Sequence, residues 1–97
     1  IRDYFTPEQA RTVGIEARQL LENKHFRDAF NGVAESLHQV ALSCDPDNKD
    51  KAHRVVLAQQ LLEAVKREII RKVEDGDMAE VQLDELERRR GLRKFLR

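Results

Sequence analysis

The sequence predicts an all-α protein, a long antiparallel helical hairpin flanked by a short N-terminal helix and a basic C-terminal helix. Three observations lead there. Phe26, Phe30, Val33, Leu37 and Val40 recur at alternating four- and three-residue steps, and Val55, Ala58, Leu62, Val65, Ile69 and Val73 resume the rhythm, which is the spacing of one helix face. Between the stripes, Cys44-Asp45-Pro46-Asp47-Asn48-Lys49 forms one polar break suited to a tight turn. Charged residues make up 37% of the chain and aromatics only 5%, with no Trp, a composition that fits long, solvent-bathed helices.

The first helix is expected over about 7–22. Thr6-Pro7-Glu8-Gln9 supplies a capping hydroxyl, a proline at the first helical position and a Gln that can reach back to the cap. Its stripe of Ala10, Val13, Ala17, Leu20 and Leu21 is thin, and Gly14 weakens it by about 1 kcal/mol relative to Ala. Asn23 caps a second helix over about 24–43, in which Gly32 permits close approach of a neighbouring backbone. Asp45-Pro46-Asp47-Asn48 turns the chain into a third helix from about 48 to 75, with Gly76 read as the residue that stops it. At roughly 40 Å this arm is longer than the roughly 30 Å second helix. Its surplus near Ile69, Ile70 and Val73 needs cover from the first helix, the tail or another subunit. Asp77-Met78-Ala79-Glu80 repeats the capping pattern and opens a last helix over about 78–90, followed by a basic tail over 88–97.

A chain of 97 residues makes a single helical domain, 1–97, with a modest core. Eighteen basic and eighteen acidic residues cancel, so attraction to an anion must come from a local patch. One cysteine, Cys44, forms no internal disulfide, and a reducing compartment is the default expectation. No apolar run approaches a membrane span, and no membrane partner is expected.

Charge is segregated near the C-terminus. Asp77, Glu80, Asp84, Glu85 and Glu87 precede Arg88, Arg89, Arg90, Arg93, Lys94 and Arg97. Those six cations are the candidate site for a partner or for nucleic acid phosphates, with Leu92 and Phe95 on an accompanying apolar face. A solvated end is the competing reading, because Asp84 to Arg88 and Glu85 to Arg89 are favourable four-residue pairs. Lys66, Arg67, Arg71 and Lys72 form a second basic group, largely neutralised by Glu63 and Glu68. Asp45, Asp47 and Asp50 begin like a calcium loop, but Lys49 and Val56 occupy ligand positions and no glycine makes the turn. His25, His38, His53 and Cys44 share no ligand or dyad spacing. Neither metal, cofactor nor catalytic group is therefore expected, and the protein is read as non-enzymatic.

Leu20-Leu21-Glu22-Asn23-Lys24-His25-Phe26-Arg27-Asp28-Ala29, the long second arm and Val73-Glu74-Asp75-Gly76-Asp77-Met78-Ala79 together resemble small helical-hairpin proteins of tailed bacteriophages and prophages, over about residues 20–80. The resemblance implies a packaging or head accessory component, such as a small terminase-like ring subunit, in the virion or host cytoplasm. It also implies another virion or packaging protein as partner. Ile1 rather than Met opens the chain, which leaves room for a preceding module such as the DNA-binding helix-turn-helix of small terminases. The expected function is thus an oligomeric assembly protein whose hairpin self-associates through Leu62, Ile69, Ile70, Val73, Leu92 and Phe95 and whose basic tail docks on a partner. The alternative is a nucleic-acid-binding module using that tail on DNA.

Overall fold

The computed structural model describes residues 6–96, the side chains of 92–96 excepted. Among these residues the protein is all-helical. Helix α1 spans Pro7–Glu22, α2 Lys24–Ser43 and α3 Lys49–Leu96. Each start has its own chemistry. Thr6 Oγ1 accepts from the Gln9 amide at 3.1 Å while Gln9 Oε1 accepts from the Thr6 amide at 3.2 Å, a reciprocal cap. Asn23 Oδ1 accepts from Phe26 N at 3.0 Å. Asp45 Oδ1 accepts from Asp47 N at 2.9 Å within the turn, and Asn48 Oδ1 accepts from Lys51 N at 3.3 Å to open α3.

The expected stop at Gly76 and the separate helix over 78–90 are corrected, because α3 continues through 48 residues without interruption. No glycine has a positive φ among the described residues, so Gly76 does not adopt the left-handed turn that ends a helix. Asp77-Met78-Ala79-Glu80 are interior helical residues rather than a cap.

The chain divides into two compact units, one comprising Leu20–Glu68 and the other Ile1–Gln19 with Ile69–Arg97. In the first, α2 and the 49–68 part of α3 are joined by the Asp45–Asn48 turn. Phe26, Phe30, Ala34 and Leu37 are half-buried on α2, as are Ala52, Ala58, Gln59 and Leu62 on α3, and Val55 is buried. The Phe26 and Phe30 rings lie 6.0 Å apart. Val33, Val40 and Val65, which the spacing placed on the inner stripes, are exposed. A seven-residue period explains the discrepancy. Phe30 and Leu37 on α2, and Val55 and Leu62 on α3, recur every seven residues and form the inner rows, as in coiled coils. The three valines stand on one flank of those rows.

In the second unit, α1 packs on the 69–96 part of α3 in the opposite direction. Arg18 Nη2 donates to both Asp77 carboxylate oxygens at 3.0 Å, and Arg11 Nε lies 3.7 Å from Glu80 Oε2. Both pairs are exposed and worth at most about 1 kcal/mol each. Packing rests instead on small residues, because Ala10, Gly14, Ala17, Gly76 and Ala79 are the buried ones. A Cβ placed on Gly14 would stand 2.7 Å from Gly76 Cα and 3.0 Å from the Lys72 carbonyl oxygen, and one on Gly76 would stand 2.7 Å from Gly14 Cα. The two backbones meet at these glycines. Gly14, read from the sequence as a weak point of the first helix, is its contact point, whereas a Cβ on Gly32 would meet nothing within 4 Å.

Candidate interaction surfaces

The candidate basic site begins on the exposed last turns of α3. Arg88 hydrogen-bonds Glu85 rather than pairing with Asp84, and Arg89 Nε reaches the other Glu85 oxygen at 3.3 Å. One carboxylate therefore gathers two guanidiniums, because residues three and four positions on share its helix face. The Arg88 hydrogen bond and then the Arg88 charge hold the Glu85 carboxyl below the usual glutamate range against an opposing effect of desolvation, with a lesser contribution from Arg89. A depressed carboxyl pKa contributes stability above its unfolded value and loses it as pH falls through the folded one. The Glu85 carboxyl is expected to titrate below the usual glutamate range by NMR, and Arg88→Ala to raise it more than Arg89→Ala. Equal titration in all three proteins would show the cluster to be unformed in solution.

Arg90 is exposed beside this cluster. The backbones of Arg93 and Lys94 are helical, but their side chains, those of Leu92 and Phe95, and all of Arg97 lie outside the described residues. Next to Glu85, a shallow groove is lined by Pro7 of α1 and by Val81, Gln82, Leu86 and Arg89 of α3. Val81 and Leu86 expose much of their apolar surface there.

The residues expected to self-associate are divided between the two units. Leu62 is half-buried within the first unit, and Ile69, Ile70 and Val73 are half-buried within the second. The exposed large apolar residues of α3 in the first unit are Val56, Leu57, Leu61 and Val65. Leu57, Leu61 and Val65 step by four and form one ridge. The apolar spacing in the sequence picked out Leu62 and Val65 but not Leu57 or Leu61.

The opposite flank of the first unit is polar. Phe30, Asn31, Ala34 and Leu37 of α2 and Gln59, Leu62, Glu63 and Lys66 of α3 line a groove whose rim is amide and charge. His25, His38 and His53 are exposed, and the Cys44 sulfur lies 3.7 Å from the Asp45 carbonyl oxygen. Among the described residues no group of three His, Cys, Asp or Glu could hold a metal ion. No described helix is long and apolar enough to cross a membrane.

No protein family, curated protein or solved structure matches this chain. Its surfaces must be interpreted from their own chemistry. Among the described residues they offer an apolar ridge, ion-paired faces and shallow grooves.

Proposed function

We propose that the protein is a non-enzymatic, self-associating helical assembly protein, of the kind that serves tailed phages as a packaging or head accessory component. One observation carries the self-association. Among the described residues the buried hydrophobics are Ala10, Ala17, Val55 and Ala79, and no large side chain is fully buried, while large apolar residues from Ile15 to Leu86 stand exposed.

In this reading α2 and residues 49–68 form an antiparallel hairpin with two unlike flanks. The polar groove occupies one flank. Val33 and Val40 of α2 share the other with Leu57, Leu61 and Val65, since they lie three residues past Phe30 and Leu37, on the side of that inner row away from groove-lining Ala34. The basic end, Arg88 to Arg90 with Arg93, Lys94 and Arg97, docks on a second assembly protein. The phage setting is drawn only from the sequence pattern of residues 20–80, Leu20 to Ala29 with Val73 to Ala79.

Sedimentation velocity over a concentration series tests the proposal. The expected result is a mass that is a multiple of 11.3 kDa and a melting temperature that rises with concentration. A constant monomer mass throughout would overturn it.

A further inference from the structure

The ridge on α3 has a symmetry of its own. Leu57 and Val65 lie four residues either side of Leu61, Ala58 and Ala64 three, and Arg54 and Glu68 seven. Large apolar residues mirror each other, as do two alanines, and the outermost pair carries opposite charge. The central Leu61 is 68% exposed, with Leu57 at 43% and Val65 at 53%. All seven positions belong to the Leu20–Glu68 unit.

Such an arrangement is self-complementary under a two-fold axis and under no simple translation. When a second α3 is laid antiparallel across Leu61, Leu61 meets its own copy, Leu57 meets the second copy's Val65, and Ala58 meets the second copy's Ala64. Arg54 then faces the second copy's Glu68 at both ends. Glu68 already has an interaction within its own chain. The pairing needs only that an opposite charge, rather than a like one, confronts it. A parallel arrangement in register would instead place Arg54 on Arg54 and Glu68 on Glu68. The alanines keep the crossing narrow enough for the leucines to interdigitate.

We infer that residues 54–68 of α3 form an isologous antiparallel contact with a second copy of this chain, with the two-fold axis passing beside Leu61. The inference rests on the self-association proposed above and locates it. Isologous contacts require one patch to match itself in reverse, and this patch does so in shape, polarity and charge. It is also an exposed apolar surface of the kind that marks interaction sites.

The full-length chain carrying Cys44→Ser and Leu61→Cys tests the axis. On mild oxidation it should form a disulfide-linked dimer in high yield, because only residues beside the axis bring their own copies within bridging distance. The same background with Leu42→Cys, an exposed position away from the ridge, should not. Leu61→Arg sets two like charges against each other and should raise the dissociation constant about 100-fold or more, while far-UV circular dichroism keeps its helical signal because the replaced side chain is exposed. Arg54→Glu and Glu68→Arg should each weaken the contact and restore it when combined. Association that survives Leu61→Arg, or no difference in cross-linking between the two cysteine variants, overturns this contact and leaves self-association through another face standing. A wild-type chain monomeric at every concentration overturns both.

Discussion

Met78→Pro is expected to cost about 3 kcal/mol or more, although it removes a side chain that is 66% exposed. The effect is on the backbone. Met78 lies inside α3, which runs Lys49–Leu96, so proline there would delete an amide hydrogen bond and drive its ring against the Glu74 carbonyl. Were Gly76 a helix stop and Asp77 a cap, position 78 would be the first residue of a new helix, where proline is favoured. The same substitution thus gives opposite results for one helix and for two. Equilibrium urea unfolding of the variant decides between them, and an unchanged midpoint would mean that the helix breaks at Gly76. Hydrogen exchange should also show lost protection in the turn around Glu74, where the ladder is cut.

Gly14→Ala and Gly76→Ala are each expected to destabilise the docking of α1 by about 1–3 kcal/mol. The direction carries more information than the size. In an isolated helix Gly→Ala stabilises by about 1 kcal/mol, and Gly32→Ala, whose Cβ meets nothing within 4 Å, should show that gain. At Gly14 the new Cβ would stand 2.7 Å from Gly76 Cα, backbone against backbone, with no flexible side chain to turn aside. The helices must therefore separate, and Ala10, Ala17 and Ala79 lose their contacts with them. Hydrogen exchange of α1 amides is the direct measurement. The double variant should cost less than the two single ones together, because the first has already opened the contact. Raised α1 protection in either single variant would show that the glycines do not touch.

The helix starts were legible in the sequence because their causes are local. Thr6 with Gln9, Asn23, and the Asp45–Asn48 turn act within three residues of themselves, and each makes the hydrogen bond its type and spacing suggest. Gly76 was not legible in that way. A glycine followed by Asp-Met-Ala-Glu satisfies the pattern of a helix end, and only a partner distant in sequence, Gly14, shows that the missing Cβ serves packing instead. The same distinction separates the two apolar rows of α3. Leu61 and Leu62 are adjacent and chemically alike, and which one faces α2 depends on a register that no single stripe encodes. The basic end was legible as charge but not as geometry, since the choice of Arg88 between Asp84 and Glu85 is a matter of side-chain reach.

The ion pair between Arg18 and Asp77 joins residues 59 positions apart, whereas α2 and α3 are linked through a turn closed by the Asn48 amide on the Asp45 carbonyl. Loop-closure entropy rises by about 0.6 kcal/mol for each doubling of length, so contacts made by the chain's two ends begin with a handicap of about 2.6 kcal/mol relative to those across the turn. Local contacts also form faster. The order of events on folding is therefore built into the connectivity. Residues 20–68 are expected to assemble before the glycine crossing closes, and limited proteolysis in rising denaturant should cut α1 while the turn is still intact.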